Sequence, residues 1–405
     1  MAFGLSVLLL GISVGLAVDM ARVYSVSRKV QFALDAAALE GAKLMSEMSA
    51  GSSLLEQRAH ATFNANTRSL DQGEATLSSF RINAEGGASL VNASVNVRVP
   101  AAFAKLAGIE NFDFIRNATT SYSTAKLEIV LALDVTGSMN EIPAGDTVSK
   151  IAGLRSAATS LINQLFDDAT TDQNVRISVV PWSSGVSAGS YSAAVTGQSG
   201  GNQCVVEREG AAATSNVPPA SGSYAQPMPP SALSIGYVCP SRPVTPLQGR
   251  SRRDNLIGEI ENLTAAGGTA GHIGAAWAWY MLSPSWSSLH STESQPLAPS
   301  QNVIKSVIIM TDGVFNTSFA GGTTPVPGTL YDDASYSMFQ SICQGMRSQN
   351  ITVHTVAFDM TDARAITELG NCASNGSALT ASNSSQLSEV FAQMAAQLNS
   401  LRITR

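Results

Sequence analysis

The sequence predicts an α/β fold built on a doubly wound, mostly parallel sheet. A long insertion interrupts it, and an N-terminal membrane helix and a small α+β segment precede it. Three observations carry this reading. From Lys126 onward, short continuous apolar runs alternate with segments of helical periodicity, the pattern of parallel strands covered by helices on both faces. A stretch rich in Gly, Ser, Pro and Ala, from Trp182 to Arg253, breaks that alternation. The residues from Met1 to Val18 carry no charge.

The uncharged run comes first. Its eighteen residues would span roughly 27 Å as a helix, close to a bilayer core of about 30 Å. A cleaved signal peptide is the other reading, but no basic region precedes the run, and Ala17-Val18-Asp19 does not make a small-residue cleavage site. The reading adopted is a signal anchor over residues 1–18. Arg22, Arg28 and Lys29 follow the run, and the positive-inside rule taken alone would put the bulk of the chain in the cytoplasm.

A helical stalk is expected over residues 19–65. Val30, Leu34, Ala37, Ala38, Gly41 and Leu44 recur at three- and four-residue steps. The small residues between Asp35 and Ala42 would either let a second anchored helix approach closely or serve only helix propensity. Residues 66–125 read as the small α+β segment. Leu90 to Pro100 alternates apolar and polar residues as a half-buried strand does, Ala101 to Leu106 reads as a short helix, and a second strand runs from Phe112 towards Tyr122.

The main domain is expected over residues 126–400. Strands are predicted at Leu127–Leu133, Val175–Val180, Val303–Met310 and Ile351–Phe358, with a short one near Leu379. Helices are predicted at Ile151–Phe166, Asn255–Leu263, Ala270–Leu282, Ser337–Arg347, Ala365–Cys372 and Ser385–Leu398. Residues 182–253 form the insertion, since loops this long are uncommon inside compact domains. Smaller loops are expected from Pro284 to Ser300 and from Phe319 to Gly328.

Composition excludes several classes. The 405 residues carry 24 Lys and Arg against 30 Asp and Glu, a net charge of -6. An acidic chain with 13% charged residues has no general attraction to nucleic acid. At 44% hydrophobic residues it is not a disordered chain. No CxxC or P-loop motif occurs.

Oxygen-bearing residues gather at the predicted strand ends. The first strand runs into Asp134-Val135-Thr136-Gly137-Ser138, which places a carboxylate and two hydroxyls at alternate positions. Gly267-Gly268-Thr269 offers a third hydroxyl from a tight loop, and Thr311-Asp312-Gly313 a second carboxylate after a buried strand. Parallel sheets bind ligands at the carboxyl ends of their strands, and such donors suit a hard cation.

This set resembles the metal-ion-dependent adhesion site of the von Willebrand factor A family: D-x-S-x-S, a Thr in a Gly-rich loop, and an Asp after a strand. The match falls on Asp134, Thr136, Ser138, Thr269 and Asp312, with Thr136 in place of Ser. The resemblance implies a Rossmann-like fold that binds Mg²⁺, Mn²⁺ or Ca²⁺. It also implies that a partner's carboxylate completes the coordination, and that the role is adhesion or assembly rather than turnover.

The N-terminal region resembles the TadE/TadG-like family. Asp19-Met20-Ala21-Arg22 and Leu34-Asp35-Ala36-Ala37-Ala38-Leu39 match its steps, and the chain end Leu401 to Arg405 is similar to TadG-type ends. This resemblance implies a non-enzymatic, metal-dependent protein-binding component of Tad/Flp pilus assembly. Its partner would be a pilus-assembly or envelope protein. It would be single-pass in a bacterial inner membrane with its bulk in the periplasm, opposite to the charge rule read alone. A surface adhesin using the same metal site is the alternative. A metal-dependent hydrolase needs a general base near the metal, and no Glu or His stands out beside these motifs in that role.

In an oxidising compartment, Cys204 with Cys239 and Cys343 with Cys372 would each close a loop of about 30 residues; two other connectivities are formally open. His60, His272, His290 and His354 show no metal-ligand spacing. His272, three residues beyond Thr269, is a candidate for the site rim. Trp277, Trp279 and Tyr280 read as helix core, and Arg250, Arg252 and Arg253 as a solvated basic patch.

Overall fold

The computed structural model describes residues 2–47, 52–70, 74–85, 90–121, 125–167, 174–199, 203–300, 302–319 and 330–403. The chain divides into two compact units, Met1–Thr124 with Ile403–Arg405, and Ala125–Arg402.

The first unit holds α1 (Ala2–Glu47), α2 (Ser52–Thr67), β1 (Thr76–Glu85), β2 (Leu90–Pro100) and β3 (Asn111–Ser121). The strands form an antiparallel sheet in the order β1-β2-β3. Val91, Ala93, Val95, Val97 and Val99 alternate onto one face of β2 and are buried. Val26, Val30, Ala33, Leu34, Ala37 and Ala38 of α1 join them in one core cluster. The small-residue face of α1 is thus buried in the unit's own core. The fit is close at Gly41, where an added Cβ would lie 3.0 Å from Ile82 Cδ1.

Asp19 ties this helix to a distant loop. Its carboxylate accepts the backbone N–H of Ala102 at 2.9 Å, of Phe103 at 2.9 Å and of Ala104 at 2.7 Å. They lead into a 3₁₀ turn, Ala104–Ala107, with Phe103 at its N-cap. Close by, an added Cβ on Gly15 would stand 2.6 Å from Phe103 Cβ. The sequence did not mark β1 as a strand. Its alternation is broken by a register shift between Ser78 and Arg81, with Ser79 at φ 54°. The expected membrane span over 1–18 begins at Met1, outside the described residues, and no helix among them is long and apolar enough to cross a membrane.

The second unit opens with β4 (Lys126–Asp134), α3 (Lys150–Asp167) and β5 (Val175–Trp182). Next come β6 (Val186–Ser187), α4 (Ser192–Thr196), β7 (Cys204–Arg208), β8 (Ala225–Pro227), α5 (Pro230–Leu233) and β9 (Thr245–Gln248). Then follow α6 (Arg253–Glu261), α7 (Gly271–Leu282), β10 (Val303–Thr311) and α8 (Asp333–Ser348). β11 (Ile351–Phe358), α9 (Ala363–Cys372), β12 (Ala378–Ala381) and α10 (Ser384–Ile403) complete it.

Six strands make one sheet in the order β12-β11-β10-β4-β5-β9. All neighbours are parallel except β9, which pairs antiparallel with β5. Side chains of β4 alternate between two apolar clusters. Val130 and Ala132 join one with residues of α7 and α8, while Ile129, Leu131 and Leu133 join another with residues of α3, α6 and α10. Continuous apolar strands arise from this double burial. Trp277, Trp279 and Tyr280 are buried in the first cluster.

The stretch from Trp182 to Arg253 is not a structureless loop. β6, β7 and β8 form a small antiparallel sheet, and β9 supplies an edge to the main sheet. Pro246 is tolerated in β9 because an edge strand can leave one side unpaired. Disulfides join Cys204 to Cys239 and Cys343 to Cys372. Of the expected Phe319–Gly328 loop, 320–328 lie outside the described residues, as do Thr404 and Arg405 of the chain end.

Candidate functional site

Three neighbouring parallel strands end in carboxylates at the same edge. β4 ends at Asp134, β10 is followed by Asp312, and β11 is followed by Asp359. Parallel pairing fixes this: Met310 sits beside Leu133, and Thr311 beside Ala357. The chain then turns sharply. Asp359 adopts φ 48°, a left-handed conformation that Asp tolerates better than most residues.

Beyond Asp134 the chain enters a 3₁₀ turn, Gly137–Asn140. The Thr136 N–H donates to Asp134 Oδ1 at 2.8 Å, and the Thr136 and Ser138 hydroxyl oxygens lie 3.1 Å apart. Gly137 N–H donates to Gly267 O at 3.0 Å, and Ala266 N–H to Val135 O at 2.8 Å. These bonds hold the Gly-rich loop against the turn. Thr269 N–H donates to Asn316 Oδ1 at 2.9 Å, and Asn316 N–H returns to Thr269 O at 3.1 Å.

The five predicted residues are thereby brought to one rim. Ser138 donates its hydroxyl to Asp312 Oδ1 at 2.7 Å, and Thr311 donates to Asp134 Oδ2 at 2.6 Å. A Cβ added at Gly313 would lie 3.7 Å from Ser138 Oγ and 3.9 Å from Thr269 Oγ1, so Gly313 borders both hydroxyls. Asp134, Thr136, Thr269 and Asp312 are all buried.

Electrostatics at this rim are under tension. Burial, and then the Asp312 charge, push the Asp134 carboxyl up to about 7, against the bonds from Thr311 and Thr136. Burial likewise raises Asp312, against Lys150 and Ser138. Two carboxylates confined together favour a nearby cation. Every predicted donor is an oxygen, two from carboxylates and three from hydroxyls, which suits a hard divalent ion. Among the described residues no group of three or more His, Cys, Asp or Glu side chains is placed to hold a metal. A metal here would therefore rest on the hydroxyls as much as on the carboxylates.

Sequence reasoning missed Thr311, Asn316, Asp359 and Lys150. Asp359 carried the same signal as Asp312, a carboxylate directly after a buried parallel strand. Lys150 opens α3 and gave no signal beyond preceding an apolar helix. Its Nζ lies 3.0 Å from Asp312 Oδ2, 3.2 Å from Glu141 Oε2 and 3.3 Å from Asp359 Oδ2. Burial lowers its pKa, but Asp312, Glu141 and Asp359 outweigh that and hold the ammonium above its ordinary value.

His272 does not join the rim oxygens. Its Nε2 lies 2.7 Å from Glu207 Oε1 and its Nδ1 2.7 Å from Ser335 Oγ, all buried. Phe319 N–H donates to the same Glu207 oxygen at 2.7 Å. Glu207 thus clasps α7 and the segment after β10 to the small sheet. That sheet region also touches the rim loop. Ser184 Oγ accepts the N–H of Gly268 at 2.7 Å, and a Cβ on Gly267 would meet Val238 O at 3.0 Å.

Residues 1–44 match the family described as putative Flp pilus-assembly TadE/G-like. Among solved structures, the pilus adhesin SpaC from Lactobacillus rhamnosus GG is similar at 12% identity and a TM-score of 0.42, over 80% of this chain and 34% of that one. This chain therefore spans about a third of the adhesin's length. The PilB minor pilin from Streptococcus sanguinis is similar at 12% identity and a TM-score of 0.39, over 80% of this chain and 78% of that one. The vWF domain of the type V pili tip protein Mfa5 from Porphyromonas gingivalis is similar at 13% identity and a TM-score of 0.41, over 69% of this chain and 97% of that one. No curated protein matches the sequence.

Proposed function

We propose that this chain, whose first 44 residues are TadE/G-like, is a non-enzymatic assembly protein of a Tad/Flp pilus. In this reading it is anchored by the apolar start of α1 and captures a protein partner through a divalent metal at the rim. The observation that carries the reading is the convergence of Asp134, Thr136, Ser138, Thr269 and Asp312 at the carboxyl edge of the sheet.

Each residue has a distinct part. Both Asp134 oxygens already accept hydrogen bonds, from Thr136 N–H and Thr311 Oγ1, so Asp134 acts through charge and through water. Ser138 and Thr269 present hydroxyls to the space at Gly313, and Thr136 supports Ser138. Asp312 supplies the second negative charge. Mg²⁺ (or Mn²⁺ or Ca²⁺) bound there would offset the paired carboxylates and leave coordination positions for a partner's carboxylate. The TadE/G-like segment favours an envelope setting, with the bulk on the periplasmic side of the inner membrane.

The test is genetic. A strain whose own copy carries Thr269→Ala should make normal amounts of the protein but assemble few or no pili. Normal piliation in that strain would sink the reading.

A further inference from the structure

The charges around Lys150 set a condition on metal binding. Its side chain is only 5% exposed. The ammonium faces Asp312, Glu141 and Asp359, supplied respectively by the segment after β10, the turn after β4 and the tip of β11. Asp312 is divided between two neighbours: Oδ1 accepts the Ser138 hydroxyl at 2.7 Å, and Oδ2 faces the ammonium at 3.0 Å. Neither oxygen is free of a partner. Asp134, by contrast, stands in no ion pair among the described residues.

We propose that Lys150 is a tethered counter-cation that offsets Asp312 and weakens the rim's hold on divalent metal. This rests on the metal reading above and adds to it a residue outside the five oxygen donors. The physical reason is direct. An ammonium held beside a site's carboxylate repels a second cation at that site and already meets part of the charge demand. The metal-free rim is thus partly neutralised, and metal occupancy depends more heavily on a further carboxylate brought by a partner. Asp359 and Glu141 hold the ammonium in place, and the positive φ of Asp359 turns the chain where its carboxylate meets Lys150. An ordinary buried ion pair would support the fold in the same way, but removing it would not strengthen metal binding.

The experiment uses the full chain in detergent and Mn²⁺ alone, with free Mn²⁺ followed by electron paramagnetic resonance. Lys150→Met should bind Mn²⁺ about tenfold more tightly than the wild type, and Lys150→Arg should match the wild type. Binding by Lys150→Met where the wild type shows none would equally support the proposal. Equal affinity of wild type and Lys150→Met overturns it while leaving the metal reading intact. Absence of binding in both overturns the metal reading and this proposal together. Circular dichroism checks that Lys150→Met is folded. Lys150→Gln, which keeps a hydrogen-bond donor without the charge, takes its place if it is not, with the same outcomes.

Discussion

The Thr311 hydroxyl donates to Asp134 Oδ2 at 2.6 Å across the tips of two adjacent parallel strands. One residue further on, Asp312 accepts from Ser138, four residues beyond Asp134. Each strand end thus holds the other's acid, and the two carboxylates are fixed beside each other before any ligand arrives.

The glycines behind this rim have little room. A Cβ at Gly271 would stand 2.1 Å from Phe315 Cζ, and one at Gly268 would stand 2.5 Å from Thr317 Oγ1. Gly271→Ala should therefore destabilise the chain by about 1–3 kcal/mol through overpacking. Gly268→Ala should cost less, because it meets one atom under 3.0 Å where Gly271 meets three atoms of the Phe315 ring. Urea unfolding of both variants checks the order, and a Gly268→Ala loss larger than that of Gly271→Ala would contradict it.

The Cys204–Cys239 disulfide braces the segment that bears Tyr237 and Val238, and both residues border the Gly267–Gly268 loop, where an added Cβ would lie 3.0 Å from Val238 O or from Tyr237 Cε1. Replacing both cysteines with Ser should cost about 2–4 kcal/mol. Hydrogen exchange at Gly268 and Thr269 should quicken in that variant. Unchanged exchange there would mean that the small sheet does not support the rim loop.

Buried histidines make the chain sensitive to acid. Burial, helped at His290 by the Arg176 charge, pushes His290 and His354 down to about 4 from an ordinary 6.5. The unfolded chain takes up protons below about 6.5 while the folded chain does not. Their stabilising contribution is therefore full above that pH and is lost as pH falls towards 4, by on the order of 2–3 kcal/mol per histidine. His354→Gln should flatten this loss when unfolding midpoints at pH 7 and pH 4.5 are compared. An unchanged difference would assign the acid sensitivity elsewhere.

Asp19 joins α1 to residues 83–85 positions away along the chain. Burial pushes its carboxyl up, but the three backbone N–H bonds and Arg22 outweigh that and hold it below the usual carboxylate range. Asp19→Ala leaves three donors without their acceptor, and the melting temperature should fall by on the order of 5 °C. Asp19→Asn, which keeps an acceptor oxygen, should fall less.

That contact also shows where the sequence stops being legible. Asp134, Thr136, Ser138, Thr269 and Asp312 were visible because each follows a buried apolar strand or sits in a glycine turn, and local pattern sets both features. Asp19 stood in a recognisable step, yet its partners are backbone groups far along the chain, which no spacing reveals. The sheet face of α1 was hidden for a similar reason, since small residues at helical spacing serve a sheet as well as another helix. Edge strand β9 contains Pro246 and spans four residues, so neither its length nor its alternation marked it. Lys150 is a single charge before an apolar helix, and only the tertiary fold brings three carboxylates to it.

The central claim is that these oxygens hold a divalent metal. Calorimetric titration of the full chain with Mg²⁺ and with Mn²⁺, beside Asp134→Ala, tests it most directly. The account predicts saturable one-site binding by the wild type, lost or weakened at least tenfold in the variant, with the circular dichroism of the two unchanged. Binding of equal strength in Asp134→Ala would contradict it, because the metal would then lie elsewhere on the molecule.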